Sequence, residues 1–367
     1  MNHLVAIAVG PIQEFIAAAR RTRDLWFGSY LLSEISRAVA ESIHSQGGSL
    51  IFPASLDVEN VANVILANID SDNPRSVALN AKQAAQTRWM DFVDDAWERA
   101  KEAIRRDIWD DQKSDVIEFY AAWVERTDSY KNDRVKVMRI LSGRKNCRDF
   151  EPARGRAGVP KSSLDGQRES VLKDREREPW SAPIRIRTGE QLDVVGLVKR
   201  VAEGHRSYLS VSSIAAEPWL RGYGAKLDEV RNECVALGPR VVRKIKLASD
   251  RPPCGYNAFP YEGTVLYVTR HNELVQETDI EWEQLRGLQQ ALAKLWAIEK
   301  LPEPSPYLAV LVADGDAMGS AISNLKDEEA NRLFSRKLAQ FGREAKGEPK
   351  NNFPVSRCSF TLKGIRG

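Results

Sequence analysis

The sequence predicts an α+β fold in which two related strand–turn–helix units flank a mostly helical region. Three observations carry this reading. One continuous apolar run opens the chain at Leu4–Val9, and a second lies at Leu308–Ala313. Between them, most apolar residues recur at three-and-four spacing. Short apolar runs bounded by turn residues read as buried strands, and the three-and-four pattern reads as amphipathic helix.

The first fifty residues are the most strongly patterned. Gly10-Pro11 ends the Leu4–Val9 strand, and Pro11 suits the first turn of a helix. Ile12, Phe15, Ile16 and Ala19 follow at helical spacing, then the basic patch Arg20-Arg21-Thr22-Arg23. Ser29 is a candidate cap for a second helix with Leu31, Leu32, Ile35, Val39 and Ile43 on one side. Gly47-Gly48 stops it, and Ser49–Phe52 starts a new strand closed by Pro53. Strand–helix–helix–strand is the opening of a ferredoxin-like unit.

Residues 78–126 read as helix, with Trp89, Phe92, Val93, Ala96, Ala100 and Ala103 on one stripe. Residues 143–183 are rich in Gly, Pro, Ser and charge and read as irregular. Helix resumes at Asp193–Val201, a strand is expected at Thr264–Thr269, and helix again at Ile280–Ile298. Pro302, Pro304 and Pro306 then hinge into the second apolar run. Aligning LVAIAVGPIQEFI with LAVLVADGDAMGSAI puts Gly10 opposite Asp314 and Ile12 opposite Asp316. This fits two copies of one α+β unit, and it equally fits two unrelated buried strands.

Composition narrows the function classes. The 367 residues carry 43% hydrophobic and 29% charged side chains, ordinary for a globular protein of two or three domains. A net charge of +3 does not by itself point to nucleic acid. Its distribution is uneven: residues 131–187 hold 16 Lys+Arg against 8 Asp+Glu, while 91–118 hold 10 acids against 5 bases. The basic block is either a phosphate-binding surface or a solvated loop.

Cys147, Cys234, Cys254 and Cys358 are far apart with no C-x-x-C, so neither a zinc ribbon nor a disulfide framework is indicated, and a reducing cytoplasm is expected. The N-terminal apolar run is too short to span a membrane, and no membrane partner is expected. The four scattered histidines form no H-E-x-x-H, and there is no P-loop.

The sharpest chemical signal is LAVLVADGDAMG at 308–319. On a strand, alternate residues share a face, so Asp314 and Asp316 would point the same way. Gly315 between them would leave its carbonyl open to close approach. Two carboxylates and a carbonyl form a hard-oxygen site suited to Mg²⁺ with a phosphate ligand. Asp-Gly-Asp also builds turns, so spacing alone leaves both readings open. A stand-alone Asp-x-Asp sugar-nucleotide transferase would leave the patterned N-terminus unexplained.

Four segments carry a family resemblance: VGPIQEFIAAARRTRDLWFGSYLLSEISRAVA (9–40), PKSSLDGQRES (160–170), GEQLDVVGLVKR (189–200) and LVADGDAMG (311–319). Together they resemble the large palm-domain polymerase/cyclase subunit of type III-B CRISPR effector complexes, the Cmr branch. The likeness runs from about residue 3 to about residue 345.

The resemblance implies two ferredoxin-like palm domains, the second incomplete here, with an intervening mostly helical region. The implied boundaries are 1–75 with part of 190–275 for the first palm, and 76–190 for a helical and basic linking region. A helical connection at 276–305, the start of a second palm at 306–345 and a disordered tail at 346–367 complete the division. It further implies an RNA-guided antiviral complex in the cytoplasm, with other effector subunits, CRISPR RNA and target RNA as partners. In such complexes target pairing triggers Mg-dependent (or Mn-dependent) synthesis of cyclic oligoadenylate from ATP.

By the same resemblance Asp314 and Asp316 would be the catalytic metal ligands, with the Gly315 carbonyl as a third. Met318 and Gly319 would line the nucleotide pocket, and Gly28 and Ser29 would lie against a second nucleotide. Three departures bear on this. The chain opens directly on the first palm, so cleavage by an HD nuclease domain is not expected. Ser162–Asp165 stands where some members carry C-x-x-C, so no zinc is expected. The Gly-Gly-Asp-Asp hairpin that completes the metal site is absent, so the chain alone is expected to be inactive, and a non-catalytic scaffold role is the alternative.

Overall fold

A computed structural model describes residues 1–58, 60–147, 155–174, 184–187, 189–203, 209–245, 255–278, 280–310 and 316–352, the last eight as helix backbone only. The first unit runs β1 (Asn2–Gly10), α1 (Gln13–Ala17), α2 (Thr22–Ser45), β2 (Ser49–Phe52), β3 (Val64–Asp70), α3 (Pro74–Ala100), α4 (Arg106–Gln112), β4 (Glu118–Glu125) and α5 (Tyr130–Asn146). Its four strands form one antiparallel sheet in the order β2-β3-β1-β4. With α2 and α3 as the crossovers, this is the β–α–β–β–α–β arrangement of two split β–α–β units.

Strand β1 is central and buried on both faces, which is why its sequence is a continuous apolar run rather than an alternating one. Val5, Ile7 and Val9 point into a core with α2 and α3. Leu4, Ala6 and Ala8 point the other way, against Tyr130, Val137 and Leu141 of α5. Helix α2 is a single helix from Thr22, so Ser29 lies inside it rather than at its cap. Asn73 caps α3 by accepting from the Ser76 amide, with Pro74 in the first turn.

The long helix expected over 78–126 ends at Ala100, and β4 supplies the fourth strand. Tyr120, Ala122 and Val124 of β4 are buried and alternate with half-buried neighbours, the signature of a strand. The sheet therefore closes with residues from the region assigned to the 76–190 linker, and the first unit extends beyond residue 75.

Residues 184–202, including α6 (Val194–Val201), pack into that first core. Asp193 caps α6 through the Gly196 amide at 2.8 Å. A second, helical core holds α7 (Val211–Tyr223), α8 (Asp228–Val241), α9 (His271–Thr278) and α10 (Arg286–Ala297). Helix α8 breaks at Gly238, whose φ of +76° favours glycine.

The strand expected at Thr264–Thr269 is instead a pair of tight helical turns whose Val265 and Leu266 fill this helical core. The second apolar run is not a strand either where it is described: Tyr307 is 86% exposed and Val310 79%. In both segments β-branched composition alone did not decide the structure, because among the described residues no second sheet is present for them to join. Of the two expected strand–turn–helix copies, the first has its strand, and the second run is described only to residue 310, the rest of it falling outside the described residues.

Short α11 (Met318–Ser323) and long α12 (Glu328–Asn352) follow, so helix enters the segment expected as a tail. Helix α12 folds back on the first unit. Arg332 donates to the Leu50 carbonyl at 2.9 Å and to Ser49 Oγ at 2.7 Å, Ser335 Oγ accepts from the Ala54 amide, and Asn331 reaches the Tyr130 hydroxyl. No helix among the described residues is long and apolar enough to cross a membrane.

Candidate functional site

Three of the four sequence segments that carry the resemblance meet in space. Segment 9–40 provides α1 and most of α2, segment 189–200 provides α6, and segment 160–170 lies across both. Arg20 donates to the Ser163 carbonyl at 3.0 Å, and Ser163 Oγ exchanges hydrogen bonds with the Gln191 backbone. A small cleft remains between the segments, lined by Glu14, Phe15, Leu164, Asp165, Arg168 and Asp193 among others.

The deepest part of this junction is ionic. Arg200 is bracketed by two buried carboxylates, with Nη2 at 2.7 Å from Asp24 and 2.8 Å from Glu190. Burial alone would raise the Glu190 carboxyl, but the hydrogen bonds and charge of Arg200 hold it below its ordinary range. Arg23 ties the same helix end down by donating to the carbonyls of Arg200 and Ala202. Sequence reasoning missed this network. The sequence carries no local signal for it, because Asp24 lies 176 residues from Arg200 and Glu190 lies in the loop before α6.

Gly28 belongs to the same junction. A Cβ there would stand 3.1 Å from Cδ of Lys199 and 3.7 Å from Cα of Ile16, so its missing side chain lets α2 approach α1 and α6. It faces the packed Lys199 rather than an open nucleotide cleft, and Ser29 beside it is half-buried. Lys199 is fully buried and donates from Nζ to the carbonyls of Phe15 and Ala18, both at 2.6 Å, closing the end of α1.

Burial pushes the Lys199 amine down from its ordinary 10.5 to about 8. Between pH 8 and 10.5 the folded chain therefore holds Lys199 neutral where the unfolded chain holds it charged. Unfolding then takes up a proton, and this residue's contribution to stability rises with pH across that window. In denaturant titrations the stability of the natural chain minus that of Lys199→Met should grow by roughly 1–3 kcal/mol from pH 8 to 10.5. A flat difference would show that the ammonium keeps its charge on folding.

The fourth segment lies elsewhere. Asp314 and Gly315 fall outside the described residues. Asp316 is exposed in the turn before α11, next to Ala317, whose φ is +56°. Met318 is half-buried, and Gly319 is exposed with open space around it. The structure does not bring Asp316, Met318 or Gly319 together with Gly28 and Ser29 in any described contact. No group of three or more His, Cys, Asp or Glu able to hold a metal ion occurs among the described residues.

Residues 4–110, which are β1 through α4 of the first unit, match the family model described as CRISPR-associated protein Cmr2, N-terminal. The chain resembles Cmr2. Two solved structures extend the likeness beyond the matched stretch. A chain of the type III-B Cmr-beta complex bound to cognate target RNA aligns with a TM-score of 0.53 at 15% identity, covering 94% of this chain and 49% of that one. A chain of the apo Cmr-beta complex aligns at 0.51 and 14% identity, covering 83% and 43%. At such identity the Cmr likeness is one of fold, and the chain spans less than half the length of the solved chains it matches. No curated protein matches.

Proposed function

We propose that this chain is a subunit of an RNA-guided type III-B CRISPR effector complex and that its built part serves assembly rather than catalysis. One observation carries this reading. The stretch matching the Cmr2 N-terminal family, residues 4–110, supplies three of the four strands of the β–α–β–β–α–β sheet, and that sheet is locked to residues 184–202 by a buried ionic junction. That sheet is read as the first palm. Its partners in this reading are other effector subunits, CRISPR RNA and target RNA. The test is co-expression of the chain with the remaining subunits of such a complex and a guide RNA, followed by native mass spectrometry. Stoichiometric incorporation is expected, and a complex that assembles fully without the chain would end the reading.

The ADGDAMG motif at 313–319 favours a second reading, Mg-dependent formation of cyclic oligoadenylate from ATP, with Asp314, Gly315 and Asp316 on the metal and Met318 and Gly319 at the nucleotide. Mg²⁺ demands a near-octahedral oxygen shell and usually takes one or two carboxylates together with substrate phosphates and waters. Of the three groups named, Asp314 and Gly315 fall outside the described residues, and Asp316 offers an exposed carboxylate in the turn before α11. Calorimetry decides between the two readings. If the half-site works, Asp316→Ala abolishes Mg-dependent ATP binding by the chain. Binding that survives the substitution, or that the natural chain never shows, leaves the assembly reading alone.

A further inference from the structure

The basic block at 131–187 divides into two populations. Most of its described cations beyond α5 are committed internally. Arg156 pairs with Asp107 and Asp111, Lys161 with Glu169 at 2.5 Å, Arg185 with Glu262 at 2.7 Å and Arg187 with Glu273 at 3.2 Å, while Arg168 donates to the Asp115 carbonyl. Helix α5 is different. Lys131, Lys136, Arg139 and Lys145 are exposed and make no ion pair among the described residues. The one acid in the helix, Asp133, is buried and accepts from the Thr127 amide and hydroxyl at 2.9 and 2.7 Å.

The orientation of this face is fixed by packing. Tyr130, Asp133, Val137 and Leu141 are buried against β1 and β4, which turns Lys131, Asn132, Val135, Lys136, Arg139 and Ser142 outward. At a rise of about 1.5 Å and a turn of about 100° per residue, Lys131, Lys136 and Arg139 lie on this outward side over about 12 Å of helix, while Lys145 projects from another flank near the C-terminal end. No aromatic side chain lies on the outer face, whose exposed apolar members are the single aliphatics Val135 and Ile140.

We propose that the outer face of α5 binds a single-stranded RNA backbone through its phosphates. The charge, the length of the row and the lack of stacking aromatics specify polyanion contact without base reading. This names the surface at which the RNA of the assembly reading would meet the chain, and the test runs on the 367-residue chain by itself, so failure here and failure to join an effector are separate results.

The experiment measures binding of fluorescent oligouridylate and oligocytidylate of about 20 nucleotides across a salt series. The expected result is equal affinity for the two sequences. The log–log salt slope should approach about −2, from three contacts at about 0.7 each on a single strand. Replacing Lys131, Lys136 and Arg139 together with Gln should weaken binding by at least about tenfold at low salt, at an unchanged thermal midpoint because all three are exposed. Lys101→Gln with Lys161→Gln, which removes paired cations, should leave affinity unchanged.

Unaltered binding by the triple variant would overturn the proposal, as would equal weakening by the paired-cation variant. Displacement of RNA by polyglutamate at equal charge would overturn it in favour of an acidic protein partner.

Discussion

Arg200→Met should cost the chain about 3–5 kcal/mol of stability, the usual penalty for removing one member of a buried ionic group. The reason lies in what stays behind. Asp24 is 0% exposed and Glu190 6%, and both would lose the guanidinium that hydrogen-bonds to them. One would have to take up a proton or draw in water, and α6 would loosen from α2. Equilibrium denaturation at neutral pH measures the loss, and a change under about 1 kcal/mol would mean that the three side chains are not desolvated as described. The triple replacement Asp24→Leu, Glu190→Leu, Arg200→Met should recover much of the loss, since apolar groups of similar size remove the desolvation penalty together with the pair. A pH series adds an independent check. Arg200 holds the Glu190 carboxyl low, so the stability it contributes is present above the ordinary carboxyl pKa of 4.5 and lost as pH falls through the depressed folded value. Arg200→Met should flatten that acid limb.

Gly263→Ala should damage the second core by about 1–3 kcal/mol or more. An added Cβ would stand 2.6 Å from the Ser212 carbonyl oxygen and 2.7 Å from Cα of Ser213. These are backbone atoms of α7 and cannot swing aside as a side chain can. The contact is already pinned, because Gly263 N–H donates to Ser213 Oγ at 2.9 Å and the Tyr256 hydroxyl donates to the Ser213 carbonyl at 2.6 Å. The added methyl must therefore push α7 off Val265 and Leu266 or break both bonds. Gly143→Ala is the control: it sits in α5 with open space around it and should gain up to about 1 kcal/mol from helix propensity. If Gly263→Ala melted within a degree or two of the natural chain, the close approach of this turn to α7 would be wrong.

How much of this was legible in the sequence varied with how local the signal was. The Leu4–Val9 strand, the helix through Leu31 and Ile43, its stop at Gly47-Gly48 and the helix over Asp193–Val201 all follow from neighbours within a few residues, and the structure has each of them, the last beginning one residue later at Val194. Strand β4 was missed because the helical stripe of α3 seemed to continue through Ala103, although EFYAAWVE carries its own period of two. TVLYVT shows the opposite error. It has strand composition, but a strand needs an edge to pair with, and composition says nothing of where an edge is. The ionic junction was illegible for a third reason. Asp24 and Arg200 are 176 residues apart, and nothing local to either announces the other. As for the proposed site residues, Asp316 and Met318–Gly319 have places on the surface, and Gly28 has a packing role that accounts for it without a ligand.

The return of α12 to β2 bears on the order in which the molecule comes into being. Ser49 and Leu50 wait for Arg332, and Ala54 for Ser335, so these contacts close a loop of some 280 residues. On a ribosome adding about 5–20 residues per second, the β2-β3-β1-β4 sheet is made many seconds before the helix that covers its outermost strand. Through that interval the growing chain presents an uncovered strand edge, which other nascent chains can pair with. The first unit must therefore hold together on its own cores while the last helix is still being made, and slowing elongation across 126–327 should favour aggregation over folding.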